Sequence, residues 1–388
     1  MVEHLYRKTV CLAFVVLFLS APGFCLDGGG IPVAAIQELM DGLIEDTDVP
    51  GMVVGVDVKG ERWIGVSGVA DLETGEIVTP DTQFRLASVT KTFTAILLLK
   101  LAELGNLSLD DNVEKWLPGQ LNNAENITIS MLLNHTSGLF DHENVLEFWN
   151  KIMDNPLYNC PEEEVLQLIN ENPPNFAPGT AYEYCNSGYY LLGMIAEKVR
   201  GDTVDHLTQQ YIFSPAGMSR SRLTREGELT LPFLPGYFRD DRSEDLMSVG
   251  NWNFSWDWTA GSGVSTAGDL ISLVRALFSG TLLGPEWLAR MTTPIPPSEE
   301  YGYGVDVKLS DTNRFGEPVC THGGYNPGTF TGWYYFPESD MVITLGLNYS
   351  EYREEYVYPF AYAGRDFVEE LHFILNPSGF STDWEVYR

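Results

Sequence analysis

The chain reads as an α/β protein, an antiparallel β-sheet flanked by helices with an α-rich inserted region. Three observations carry that expectation. β-rich runs lie towards both ends, at about 52–69 and again after 300. From about 107 to 258 the chain instead carries short helical pieces between Pro/Gly loops, with few strand signals. Between Phe84 and Leu104 the stretch FRLASVTKTFTAILLLKLAEL is too continuously apolar for a surface helix and belongs in the centre.

The elements follow in order. Ile36, Leu39, Met40, Leu43 and Ile44 share one face at helical spacing, and Pro50-Gly51 stops that first helix. Two β runs around Lys59-Gly60 read as a hairpin. The central helix is expected from about Ser88 to Glu103, closed by Gly105. Pieces such as EEEVLQLINEN and GYYLLGMIAEKVRG make up the α-rich stretch. After Ala260 a helix (AGDLISLVRALFSG) precedes four β runs, YGYGVDVKL, EPVCTHGG, GTFTGWYYF and MVITLGLN, and a last helix lies between about Tyr352 and Leu375. A sheet domain over 31–110 plus 259–376, with an α-rich insert over 111–258, is the organisation this order predicts.

A chain of 388 residues with 44% hydrophobic and 12% aromatic content can bury a large core. Its formal net charge of -31, from 23 Lys+Arg against 54 Asp+Glu, repels nucleic acid and anionic lipid, so neither is an expected partner. Arg7 and Lys8 ahead of the apolar run Val10 to Leu19, then small residues and Pro22, have the layout of a secretory signal over 1–25. The run is shorter than the about 20 apolar residues of a membrane-spanning helix. Export is expected, the product being secreted or held by this segment as an N-terminal anchor. Beyond residue 25 only Cys160, Cys185 and Cys320 remain, which permits at most one internal disulfide. Cys185 and Cys320 as a redox pair is one reading of their placement; small buried fillers is the better one.

Chemistry is suggested by Ser88 and, three residues on, Lys91. One helical turn puts both side chains on one face. A lysine in apolar surroundings has its pKa lowered, so its neutral amine can take the serine proton. Further along stand Tyr184-Cys185-Asn186 and, at the end of a β run, His322-Gly323-Gly324. Gly263 to Ala267 nearly matches a Gly-x-Ser-x-Gly elbow, but no apolar strand precedes it, and it reads as a helix start capped near Thr266. His135, Asp141 and His142 lack metal-ligand spacing, and His135 reads as structural. Trp252, Trp256 and Trp258 could equally line a pocket or pack the insert.

The segment around Ser88-x-x-Lys91, the helical ITISMLLNHTSGL, Tyr184-x-Asn186, the turn TAGSGVSTAGDLISL and His322-Gly323-Gly324 together resemble, in order and spacing, the serine beta-lactamase and penicillin-binding-protein superfamily, in its class C and DD-peptidase-like branch. The resemblance covers roughly 35–350. It implies a beta-lactamase/transpeptidase-like fold and a serine hydrolase acting through an acyl-enzyme on an ester or amide, DD-peptidase-like or esterase-like, without metal or cofactor. Beta-lactamase activity is an alternative, and a catalytically silent sensor or binding module is an alternative of another class. The partner is then a small-molecule or short-peptide substrate; oligomeric state is left open.

The resemblance also implies roles. Ser88 is the nucleophile, and Lys91 and Tyr184 share proton transfer, with the resting base left open between them. Asn186 offers its amide to the substrate and to Lys91. His322, Gly323 and Gly324 form one wall of the pocket, and the Tyr325 N–H joins that of Ser88 in an oxyanion hole. His322 stands where many beta-lactamases carry lysine. An unperturbed histidine, with a pKa of about 6.5, is a less dependable cation for a substrate carboxylate. That departure points away from efficient beta-lactam hydrolysis.

Overall fold

A computed structural model describes residues 30–239, 246–310, 312–351 and 359–377. The expected signal or anchor over 1–25 lies outside the described residues. Residues from Val33 onward form one compact unit.

Helix α1 (Val33–Asp46) buries Ile36 and Met40, two members of the expected apolar face, one turn apart. Strands β1 (Gly51–Val58) and β2 (Glu61–Gly68) form the expected hairpin. Its two turn residues, Lys59 and Gly60, both take positive φ (52° and 88°), the geometry of a tight turn that matches strand twist. A two-residue strand β3 (Phe84–Arg85) and a short turn, Ala87–Val89, lead into helix α2 (Thr90–Glu103). Twelve of its fourteen residues are buried, so α2 is the central helix and tertiary packing, not amphipathicity, holds it.

Short helical segments follow, and helix α3 (Asn186–Arg200) packs on α2. The aromatic stretch before Ala260 packs inward: Trp252, Trp256 and Trp258 are buried, with Trp256 edge-on to Trp149 and Trp258 edge-on to Tyr190. Their packing role is therefore the one realised. Strand β4 (Val264–Ser265) pairs with β3. It runs into helix α4 (Ala267–Phe278), whose cap is Thr266, accepting from the Asp269 N–H at 3.2 Å. The near-elbow sequence is thus a helix start, as expected.

Strands β5 (Asp306–Lys308), β6 (Val319–Asn326), β7 (Thr329–Phe336) and β8 (Met341–Leu347) complete an antiparallel six-stranded sheet of order β2-β1-β8-β7-β6-β5. The hairpin near the start of the described chain thereby sits beside the strands near its end, Met52 opposite Leu347. Helix α5 (Pro359–Leu375) closes the described chain. A small sheet of Tyr237–Arg239, Met247–Ser248 and Tyr349–Glu351 had no counterpart in the sequence reading. Its short pieces carry too little periodicity to be seen.

One detail of the sheet matters for function. β5 pairs with β6 only through Val319, Cys320 and Thr321, so the strand ladder on that side stops before His322.

Candidate active site

Ser88 sits in the tight turn just before α2, and Lys91 in the first turn of α2 itself. The Lys91 Nζ donates to Ser88 Oγ at 2.9 Å and to the Ala260 carbonyl at 2.9 Å. Lys91 is fully buried. Burial holds its pKa below the ordinary lysine value, while the carboxyls of Asp257, Glu143 and Asp141 pull the other way.

Strained turns aim this pair. Ala87, immediately before the serine, takes φ +45°, and Trp258, two residues before the Ala260 carbonyl, takes φ +35°. Side chains other than glycine avoid that region, and where they adopt it the surroundings impose it. Here β3–β4 pairing brackets both turns, and the Gly263 N–H donates to Thr90 Oγ1 at 2.9 Å, locking one onto the other.

Tyr184 precedes α3. Its ring lies 4.9 Å from Lys91 Nζ and 4.2 Å from the ring of His135. The residue is 37% exposed as a whole, yet burial pushes the phenol well above its ordinary pKa and a hydrogen bond with Ser88 only partly offsets that. A resting phenolate would need the opposite shift. The two shifts favour Lys91 over Tyr184 as the base, with Tyr184 as a phenol able to donate.

His135 is structural, as expected. It takes φ +60°, is buried under Tyr184, Tyr189 and Tyr301, and accepts from the Cys185 N–H at 3.1 Å through Nδ1. It fixes the backbone between Tyr184 and Asn186.

Asn186 is placed differently from expectation. Its amide nitrogen donates to Asp141 Oδ2 at 3.1 Å and to Glu143 Oε2 at 3.0 Å, and its backbone N–H to Asp141 Oδ2 at 2.7 Å. Both amide hydrogens are taken by carboxyls, and the Lys91 amine donates to Ser88 and Ala260, where a direct link to Asn186 was expected. The Asp141 carboxylate faces the positive N-terminal end of α3, which favours it there. Burial, then the Asp257 and Asp141 charges, push the Glu143 carboxyl well up; burial also raises Asp257. A protonated Glu143 beside Asp257 relieves the repulsion of two buried carboxylates. Asn326 at the end of β6 donates to Asp257 Oδ2 at 2.6 Å.

The His322-Gly323-Gly324 wall runs against the nucleophile turn. A Cβ on Gly324 would lie 2.2 Å from the Leu86 carbonyl oxygen and 3.0 Å from the Ser88 nitrogen, so only glycine lets β6 come this close. Gly323 is exposed on the side where β5 has ended. The Tyr325 hydroxyl donates to the Glu351 carbonyl, away from Ser88, which leaves its backbone as the part that concerns the site. His322 is 3% exposed, and burial, then the Lys91 charge, push its pKa down to about 3. It is a neutral ring at physiological pH.

Asp141, Glu143, Asp257, Ala260 and Tyr301 belong to this constellation and were missed as site residues by sequence reasoning. Carboxyls spread over more than a hundred positions carry no spacing signal. Only YGYG, whose Gly304 (φ +69°) would place a Cβ 2.8 Å from the Lys91 carbonyl oxygen, hinted at a close approach to α2. Among the described residues no group of His, Cys, Asp and Glu is arranged to hold a metal ion. Cys160, Cys185 and Cys320 are free thiols, so no Cys185–Cys320 disulfide is present.

The family model described as Beta-lactamase matches residues 34–361. Penicillin-binding protein 4* of Bacillus subtilis is 27% identical over 83% of this chain and 70% of its own length. Among solved structures, a D-stereospecific amidohydrolase from Streptomyces sp. superposes with a TM-score of 0.72 at 29% identity, over 81% of this chain and 94% of that one. The D-amino acid amidase of Ochrobactrum anthropi SV3, complexed with D-phenylalanine, gives 0.78 at 25% identity, over 89% and 99%. For other curated relatives the match spans about half to two thirds of their length.

Proposed function

This chain belongs to the beta-lactamase family, and we propose that within it the protein is a serine hydrolase that cleaves uncharged amides or esters, with D-amino acid amides and short D-peptides first among its substrates. The observation that carries the reading is the 2.9 Å contact between Ser88 Oγ and a fully buried Lys91 Nζ. The amide-cleaving activity named for the two solved relatives supports the substrate class.

Neutral Lys91 takes the Ser88 proton as Oγ attacks the substrate carbonyl carbon. The backbone N–H groups of Ser88 and Tyr325 receive the oxyanion, a contribution of about 10² to 10³ in rate per donor in comparable sites. Collapse breaks the bond to the leaving group, which takes a proton from the Tyr184 phenol, itself resupplied from protonated Lys91. Water then attacks the acyl-enzyme with its proton passing to Lys91, and collapse breaks the ester bond as Lys91 returns that proton to Ser88 Oγ. Asn186, held by Asp141 and Glu143, lines the acyl side of the site. A neutral His322 offers no cation to a substrate carboxylate, which ranks D-Ala-D-Ala peptides and beta-lactams below amides and esters.

Labelling by a fluorophosphonate, abolished in Ser88→Ala, tests the chemistry. Turnover of D-amino acid amides, p-nitrophenyl esters, D-Ala-D-Ala peptides and a chromogenic cephalosporin, assayed side by side, tests the ranking. Absence of labelling in the parent protein would overturn the reading. We further read 1–25 as an export signal, supported by the Arg7-Lys8 and Val10–Leu19 pattern. N-terminal sequencing of the protein recovered outside the cytoplasm checks it, and an intact, cytoplasmic N-terminus would refute it.

A further inference from the structure

The hydrogen bonds of His322 determine where its proton sits. The Gly323 carbonyl can only accept, so the ring nitrogen 2.7 Å from it, Nδ1, carries the hydrogen. In a neutral imidazole Nε2 is then a lone pair, and the Tyr301 hydroxyl lies 3.0 Å from it. Tyr301 is as enclosed as the histidine, at 2% exposed.

Tyr301 cannot easily leave. Its ring lies 4.7 Å from that of His135 and 6.2 Å from those of Tyr182 and Tyr184. Its backbone N–H donates to Ser298 Oγ at 2.9 Å, and it forms an isolated bridge with Asp306. The titratable groups facing His322 are Lys91 and His135, with Tyr301 itself; those facing Tyr301 are His322, His135, Tyr182, Tyr184, Tyr189 and Asp306. The Tyr189 hydroxyl spends its own hydrogen on the Leu133 carbonyl at 2.7 Å and is a second acceptor for Tyr301. The competing arrangement is therefore defined: Tyr301 turns its hydrogen to Tyr189 and accepts from a doubly protonated His322.

We propose that Tyr301 is the specificity-determining residue of this site: by donating to His322 Nε2 it keeps that ring neutral and its free nitrogen occupied, so the pocket wall selects uncharged substrates over those ending in a carboxylate. Tyr301 acts through His322 and is a positioning residue. The inference rests on the reading of Ser88 as nucleophile, and it names what excludes one substrate class from the same pocket.

Nitrogen-15 NMR of the imidazole rings tests the first half on the unaltered protein. The His322 Nε2 signal of an unprotonated, hydrogen-bonded nitrogen, persisting at about pH 5, is expected; a ring that titrates near the ordinary value of about 6.5 overturns the proposal. Tyr301→Phe tests the second half. The ratio of kcat/KM for a carboxylate-terminated D-peptide to that for the matching amide should rise about tenfold as the pH is lowered, at a pH set by the burial and the Lys91 charge that still oppose the second proton, the order expected of one charge-assisted hydrogen bond. An unchanged ratio with a folded variant overturns the proposal. The NMR readout needs no catalysis, so loss of fluorophosphonate labelling would sink the hydrolase reading while leaving the tautomer measurement to decide on Tyr301.

Discussion

The side-chain amide of Asn186 is held by Glu143, 3.0 Å from its Oε2, so the helix that begins at Asn186 is tied to the 141–143 turn by carboxyls. Burial and the Asp257 and Asp141 charges push the Glu143 pKa well up, against the pull of Lys91, and so favour its neutral form in that tie. A carboxyl raised in the folded state contributes stability that is complete below the unfolded value of about 4.3 and is lost as the pH rises through the folded one. Glu143→Gln keeps an acceptor for Asn186 and a donor for Asp257 at every pH. Its melting temperature at about pH 8 should equal or exceed that of the parent, with a flatter pH dependence. Thermal melts across pH check this, and a variant several degrees less stable at that pH would show that Glu143 is needed as an anion.

Lys91 should trade stability for activity. Lys91→Met replaces a buried polar amine by an apolar chain of similar length, and replacing a buried catalytic group in this way often leaves a protein as stable or more so. We expect kcat/KM to fall about 10² to 10⁴-fold, the range of a general base, while the melting temperature holds or rises. In the parent, kcat/KM should climb with pH to a plateau as Lys91 loses its proton, with a midpoint below the ordinary lysine value of about 10.4 because burial lowers it. A pH profile without that ascending limb would remove Lys91 from the role.

Gly324 has no room for a methyl group. In Gly324→Ala the new Cβ would meet the Leu86 carbonyl oxygen at 2.2 Å, a backbone atom that cannot swing aside. β6 must then retreat from the Ser88 turn, spreading the proposed oxyanion donors. A loss on the order of 10²-fold in kcat and about 1–3 kcal/mol in stability is expected. Gly323→Ala, on the exposed side with only the Thr331 carbonyl oxygen at 3.9 Å, should fold with parental stability. Equal destabilisation of the two variants, by denaturant melts, would contradict the close approach.

The thiols should be quiet. Burial raises Cys160 to about 12 and Cys320 to about 11, and raises Cys185 as well. Titration of the folded protein with an aromatic disulfide reagent at about pH 8 should leave these three slow, and denaturation should release all of them. Rapid reaction of Cys185 in the folded protein would contradict its burial.

Much of this molecule is written locally. The Lys59-Gly60 hairpin, the unbroken apolar helix after Ser88, the helix cap at Thr266 and the four late β runs each follow from residues within one element, because periodicity, turn chemistry and capping act over a few positions. The Ser88/Lys91 pair was legible for the same reason, being one turn apart. Tertiary structure decided what depends on groups distant in sequence: that Asn186 answers to Asp141 and Glu143, that Lys91 is shared with the Ala260 carbonyl, and that His322 is bound to Tyr301. It also decided the direction in which the pKa values of Lys91, Glu143 and His322 move. A side chain's type sets only its ordinary pKa; desolvation and neighbouring charge, which exist only once the sheet and the helices enclose the site, set the value at which it works.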